Sequence, residues 1–514
     1  MKALKIIRIT LAMIVFFLLT VFFCDFTGRT SLALHFFAHI QFVPALMFGI
    51  FGILFLISLL TFLFGRIYCS VICPLGILQD VIAWFTKRGK KRNKRKRWYH
   101  YRKPYNILRY SLLAICILFL IFGSNAALVY LDPYSNFGRI MANIFRPIVM
   151  EGNNLLNWIA LQFNNYNFYH VSIYTVSIAS FSIALIALLL VGILAILHGR
   201  LFCNTICPVG AFLSLISRFS IFKITIDESK CTRCNLCAKA CKSECIDSKE
   251  EKIDSSRCVA CFNCLEHCSK RALVYKAGVS FAKRKRIIEE QPDAGRRQFL
   301  TTSAVIAATV PAVPLWAQDK KTIDVTKIRP ITPPGSRSLK HFTKKCTACH
   351  LCITHCPQQI LKPAGFQFGW NYAFKPYLSF YKGAFCNYNC TKCSRICPNG
   401  AIENLSREEK QITQIGIAHF DRSLCVVFTD HTSCGACSEH CPVQAVKMEP
   451  YKDGLTIPQV YEYLCIGCGG CESICPVRPI KAINVLANAE HQTAERPVDE
   501  DEENIDSQEL DFGF

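Results

Sequence analysis

The chain carries 31 cysteines, and 24 of them fall into six runs of four. Most runs read C-x2-C-x2-C-x3-C, in which three thiolates wrap one [4Fe–4S] cubane and the fourth serves a neighbouring cube. Soft thiolates suit iron–sulfur clusters. The first two runs are Cys231, Cys234, Cys237, Cys241 and Cys258, Cys261, Cys264, Cys268. On the crossed pattern, Cys231, Cys234, Cys237 and Cys268 hold one cube, and Cys258, Cys261, Cys264 and Cys241 the other. Cys245 is left over and reads as a structural thiol. Lys242 and Ser269 stand where a proline usually follows the fourth cysteine. Zinc is the weaker reading, because the paired runs exceed the needs of a tetrahedral site.

Four further runs lie beyond residue 340. They are Cys346, Cys349, Cys352, Cys356; Cys386, Cys390, Cys393, Cys397; Cys425, Cys434, Cys437, Cys441; and Cys465, Cys468, Cys471, Cys475. All four end in Cys-Pro, and the second and third have widened first gaps. They make two ferredoxin-like modules with four clusters, about six in the whole chain; spacing does not say which runs pair. Ile360, Ile402, Val446 and Ile480 predict short strands against the cubes. Cys346-x2-Cys349-His350 also matches the c-type haem attachment string, but Cys352 and Cys356-Pro357 complete a ferredoxin run. The aromatic stretch 366–385 reads as shielding or interface. No side chain is assigned as catalytic.

Two strings outside these runs repeat one another: GRIYCSVICPLG at 65–76 and GRLFCNTICPVG at 199–210. Cysteines at i and i+4 share a helical face. Facing pairs would offer Cys69, Cys73, Cys203 and Cys207 to one further cluster or metal ion; a metal-free dithiol is the other reading.

The elements that position these residues follow from hydropathy. Apolar residues make up 51% of the chain. They concentrate in runs 6–23, 43–64, 107–131 and 171–197, each long enough to cross a hydrocarbon core. The expected fold is an α-helical membrane domain of four spans in a two-plus-two repeat, with a fifth span later. It carries two α+β ferredoxin-like polyferredoxin parts.

The net charge is +22, with a dense source at 87–103. Its place just after a span favours a cytoplasmic anchor over nucleic-acid binding. Lys2, Lys5 and Arg8 put the N-terminus on the same side. The motif strings then face the cytoplasm, while loops 25–42 and 132–170 face outward. Asp25, His35, His39, Asp132 and His170 on those loops are candidate proton acceptors for a quinone site. The apolar stretch 75–85 is expected along the membrane interface.

Arg296-Arg297-Gln298-Phe299-Leu300 and the alanine-rich stretch after it resemble a twin-arginine export signal; a basic pair before an ordinary span is the bland reading. Either way the chain crosses outward there. Export of an already folded domain would let clusters be inserted in the cytoplasm, which suits thiols bound for a disulfide-forming compartment. The expected domains are 1–220 membrane, 221–280 cytoplasmic two-cluster, 281–320 signal or fifth span, 321–490 exported four-cluster, and 491–514 acidic tail.

On these motifs, residues 1–280 resemble the membrane ferredoxin family of periplasmic nitrate reductase systems (NapH). Residues 295–490 resemble its twin-arginine-exported four-cluster partner family (NapG). The chain looks like a fusion of the two. The resemblance implies a cytoplasmic (inner) membrane protein passing electrons from the quinone pool to a periplasmic reductase or cytochrome, a possible quinol dehydrogenase but not a terminal reductase. The membrane motif also occurs in the nitrous-oxide regulator and copper-oxidase assembly ferredoxins (NosR, CcoG), so an electron donor or metal-assembly factor is the alternative.

Overall fold

The computed structural model describes residues 2–28, 34–88, 99–173, 178–277, 329–380 and 383–496. The centre of the basic segment, the twin-arginine-like stretch with the expected fifth span, and the acidic tail beyond 496 lie outside the described residues.

The N-terminal part is helical throughout. Its elements are α1 (Lys2–Cys24), α2 (His35–His39), α3 (Phe42–Phe48), α4 (Phe51–Phe64), α5 (Tyr68–Val71), α6 (Pro74–Arg88), α7 (Asn106–Ile121), α8 (Ala126–Leu131), α9 (Pro133–Ile140), α10 (Arg146–Gln162), α11 (Ile178–His198), α12 (Leu201–Thr205) and α13 (Pro208–Ser217). Among the described residues two helices, Ala3–Cys24 and Ile178–His198, are long and apolar enough to cross a membrane. The other two expected spans are broken. Gly49, at φ +92°, ends α3 and separates it from α4, a left-handed turn that glycine adopts without a Cβ penalty. Gly123 interrupts the third run, between α7 and α8. Ile6, Phe17, Phe55, Ile121 and Ile186 stay exposed on this domain, an apolar surface larger than water favours.

The stretch 132–170, expected as an outward loop, is mostly helical, with a π-helical turn at Met141–Phe145 joining α9 to α10. The interfacial expectation for 75–85 is only half met. Leu75, Ile77 and Leu78 are buried where α6 packs on α1, α9 and α11, while Trp84 and Phe85 are exposed.

The first ferredoxin-like module is a small α+β unit. Strands β1 (Phe222–Ile226) and β4 (Leu273–Ala277) pair antiparallel around β2 (Ile246–Asp247), β3 (Lys252–Ile253), α14 (Leu236–Ala240) and α15 (Asn263–His267). The second part has three antiparallel pairs: β5 (Leu361–Pro363) with β6 (Pro376–Leu378), β7 (Thr413–Phe420) with β10 (Ile483–Thr493), and β8 (Val446–Pro450) with β9 (Thr456–Val460). Of the expected strand markers, Val446 opens β8 and Ile360 directly precedes β5, whereas Ile402 and Ile480 lie in no strand.

The two ferredoxin parts seat on opposite ends of the helical domain. Lys5 near the start of α1 pairs with Glu266 of the first. Phe22 near its end stacks on His355 of the second, with centroids 5.0 Å apart. Those positions are roughly 26 Å apart at helical rise. α11 repeats the arrangement: Ile183 packs with Ala348 and Phe374, and His198 reaches Glu244 at 3.5 Å.

Asp80 on α6 anchors the first module. It meets Arg200 at 2.7 Å, Lys242 at 2.7 Å and Arg8 at 3.2 Å. Burial opposes its ionisation, but Arg200 and Lys242 outweigh burial and hold the carboxyl well below its usual range. Its stabilising contribution is therefore complete above the ordinary carboxylate range near pH 4. It is lost as the pH falls below that range through the depressed folded value. Asp80→Ala leaves three cations without their shared partner. We expect a loss of about 3–5 kcal/mol in denaturant titrations of the detergent-solubilised protein, with earlier proteolysis between α13 and the first module.

Candidate iron–sulfur centres

Each undistorted C-x2-C-x2-C loop turns by the same device. The residue before the second cysteine and the residue after it both have positive φ: Arg233 and Asn235, Ala260 and Phe262, Ala348 and His350, Gly467 and Gly469. Left-handed backbone curls the loop so that three thiols face one centre. Non-glycine residues accept it at a cost of order 1–3 kcal/mol each. The pair at 467 and 469 must be glycine for space as well, since a Cβ would strike the Gly416 backbone or the Phe380 ring. Three residues after the fourth cysteine the device recurs at Glu244, Arg271, Gln359, Gly400 and Gln444. Sequence reading missed these positions, because most carry ordinary side chains.

The loops bring the cysteines together as crossed sets. Cys231, Cys234, Cys237 and Cys268 line one cavity. Cys258, Cys261, Cys264 and Cys241 line another. Both sets are those expected from spacing. Cys245, left over from the runs, also lines the second cavity, with its sulfur 3.5 Å from that of Cys241. The position after Cys241, expected to weaken a turn, has another use. Lys242 reaches Asp80, and its carbonyl accepts from Arg200 N at 2.9 Å.

Beyond residue 340 the structure resolves the pairing that spacing leaves open. Burial raises the Cys346 and Cys349 thiols, and the charge of Cys397, from the second run, adds to both. Burial likewise raises Cys393, with Cys386, Cys356 and Cys390 adding to it. Runs one and two therefore exchange fourth cysteines. Cys425, Cys434, Cys437 and Cys475 line a further cavity, and Cys471 lies within electrostatic range of Cys468, Cys465 and Cys441. Runs three and four exchange theirs. The pairs join where Cys386 N donates to the Cys468 carbonyl at 2.9 Å.

These sets fit cubanes in chemistry as well as number. Backbone N–H groups donate to the sulfurs of Cys268, Cys441 and Cys465 at 3.2, 3.1 and 3.4 Å, as ligands tuned by their surroundings require. Among the described residues no three His, Cys, Asp or Glu side chains converge tightly enough for a single metal ion; the cysteines ring larger voids. The haem alternative meets an obstacle at His350. Its ring nitrogens are engaged by Asn143 at 3.1 Å and the Phe374 carbonyl at 2.9 Å.

The set containing Cys349 abuts the helical domain. Asn125 Nδ2 donates to the Cys346 carbonyl at 2.8 Å, and Ser135 Oγ to Thr347 Oγ1 at 2.9 Å. Arg139 lies over Phe374, 5.3 Å from the ring centroid, so part of the aromatic stretch is interface. Asp132 is no exposed loop carboxylate: it is buried and caps α9 through Tyr134 N and Ser135 N. Asp25 caps its own turn through Thr27 N, and His170 is exposed. His35 and His39 meet edge to face with centroids 4.2 Å apart, and His35 Nε2 and His39 Nδ1 are buried without a partner among the described residues.

The four motif cysteines also converge. All are buried. Cys207 feels the charges of Cys203, Cys73 and Cys69. Arg66 Nη2 donates to the Cys203 carbonyl at 3.0 Å, and Arg200 Nη1 to the Cys69 carbonyl. The two copies thus clasp each other by exchanged arginines.

The crossed pairing is testable. Cys475→Ser should remove the iron of the cubane bounded by Cys425, Cys434 and Cys437, leaving the one bounded by Cys465, Cys468 and Cys471. Iron counting with EPR on the full chain distinguishes this from loss of the cube in its own run.

Comparison with known proteins supports several 4Fe-4S clusters. Segments 45–95 and 180–226 match the family described as a 4Fe-4S binding domain. Residues 345–405 and 432–479 match 4Fe-4S dicluster domains, and 224–247 a further 4Fe-4S binding domain. An uncharacterised protein of Methanocaldococcus jannaschii is 26% identical over 35% of this chain, a match spanning about half, 53%, of that relative. Ferredoxin-type protein NapG of Escherichia coli is 29% identical over 34% of this chain and 79% of its own length. Ferredoxin-type protein NapF of Escherichia coli is 30% identical over 27% of this chain and 74% of its own. No solved structure matches. The cysteine sets, their cavities and these relatives together make the chain a member of the Nap-type ferredoxin family, an iron–sulfur protein with multiple 4Fe-4S domains.

Proposed function

We propose that this protein carries electrons from quinol, across the cytoplasmic membrane domain, to a reductase outside the cytoplasm, of the nitrate reductase type. Its carriers are six [4Fe–4S] clusters held by the 24 run cysteines. The helical domain crosses the membrane four times in a two-plus-two repeat, with broken spans completing the count. A twin-arginine-type segment takes the chain outward once more. The two-cluster module lies in the cytoplasm and the four-cluster module outside.

The observation that carries this reading is the seating of the two modules at opposite ends of α1 and α11, on a domain whose apolar side chains face outward. The outer cysteine sets also form a series. The set with Cys349 touches the helical domain, and the sets with Cys386 and Cys468 join each other.

His35 and His39 lie beside the outer module and supply the proton acceptor that quinol oxidation needs. Burial, with His39 beside it, lowers His35 to about 4, so its imidazole is neutral at working pH, a weak base with its acceptor nitrogen free of a proton. The resemblance to nitrate reductase ferredoxins supports the acceptor class. The methylamine-utilisation ferredoxin-type relative of Methylobacillus flagellatus illustrates that fold does not fix the partner.

The protein in proteoliposomes should develop reduced-cubane EPR signals on addition of a menaquinol analogue; no signal would remove quinol as the donor. His35→Gln should slow that reduction by about 10²-fold or more while dithionite still reduces every cluster.

A further inference from the structure

The geometry points to one anionic iron–sulfur cluster shared by the two motif copies, ligated by Cys69, Cys73, Cys203 and Cys207 and held between the two ferredoxin parts. This centre is additional to the six cubanes and deepens the proposed electron path.

Charge is the first argument. Arg66 and Arg200 are fully buried beside these thiols. Arg66 has only neutral acceptors besides sulfur: Asn204 Oδ1 at 2.8 Å, the Ser256 carbonyl at 3.1 Å and the Cys203 carbonyl. Buried Arg109 also bonds the Ser256 carbonyl, at 3.0 Å. Arg200 has Asp80, but Asp80 already answers Arg8 and Lys242. Buried cations without counter-charge are costly. A cluster on four thiolates is anionic and supplies the missing charge; four neutral thiols or two disulfides do not.

Donor placement is the second. Each first cysteine meets a side-chain N–H: Arg66 Nη2 lies 3.8 Å from Cys69 Sγ, and Gln79 Nε2 donates to Cys203 Sγ at 3.1 Å. Each second cysteine accepts from the glycine three residues on, Gly76 N for Cys73 and Gly210 N for Cys207, the latter at 3.3 Å. Donors aimed at sulfur stabilise thiolate ligands and tune a cluster. Those glycines cannot be larger, because a Cβ on Gly76 or Gly210 would strike the carbonyl of Cys69 or Cys203.

Position is the third. On one side Arg66 and Lys242 lie within electrostatic range of Cys258 and Cys261 of the first module. On the other, Tyr68 lies within range of Cys73 and of Asp132, and Asp132 is beside Cys349. The centre bridges a stretch of helical domain that otherwise separates the inner cubanes from the outer series.

The test uses the full chain, without quinol or acceptor. The double variant Cys69→Ser, Cys203→Ser should lose the iron and acid-labile sulfide of one cluster and one EPR or Mössbauer component, with the ferredoxin signals retained; Cys116→Ser should lose none. Unchanged iron and sulfide in a folded double variant, or zinc or copper lost in their place, overturns the proposal. Gln79→Leu serves where the double variant does not fold. It should keep its iron and shift one centre to lower potential, because a donor to sulfur is gone; no shifted centre overturns the proposal. Failure of quinol reduction with all iron in place would instead sink the donor reading and leave this centre standing.

Discussion

The exchange of arginines between the two Cys-x3-Cys-Pro copies is the constraint on which the rest of the helical domain depends. Arg66 and Arg200 each bond the carbonyl of the other copy's first cysteine. Neither half can complete its own motif. Because the guanidiniums are buried, their hydrogen bonds have no water to fall back on, so the halves must meet in one register. That register brings Asp80, Arg8 and Lys242 together and sets the first module against the bundle.

The same economy operates in the ferredoxin parts. The cysteine-lined cavities each take one cysteine from a neighbouring run, so paired runs cannot fold independently. Between the C-terminal module and the helical domain, three contacts run side chain to backbone: Asn125 to the Cys346 carbonyl, Arg146 to the Thr354 carbonyl, Gln359 to the Ser172 carbonyl. Such contacts fix position without depending on the partner's side chain. Ligand loops, which must keep their cysteines, are good partners for that kind of bond.

Much of this was legible in the residues. The ligand sets of the first module follow from spacing alone, and the repeated strings at 65–76 and 199–210 announced two related halves. The limits are physical. Hydropathy counts apolar residues and does not register one left-handed glycine, so runs broken at Gly49 and Gly123 read as continuous spans. Spacing is local, whereas the partner of Cys397 is set by tertiary packing. Lys242 read as a missing proline because its ion pair with Asp80 spans most of the helical domain's sequence. Asp132 read as a loop carboxylate because its burial is set by tertiary packing, with Ser135 beside it bonded to Thr347.

The crossed closure also bears on biogenesis. Cys475 lies near the C-terminal end of the outer module, yet it faces the void begun by Cys425 and Cys434. A chain emerging from the ribosome cannot close that void until nearly the whole module has been made. Closure of the sites of runs three and four is thereby deferred to the end of synthesis, whereas those of runs one and two can close once Cys397 has been made.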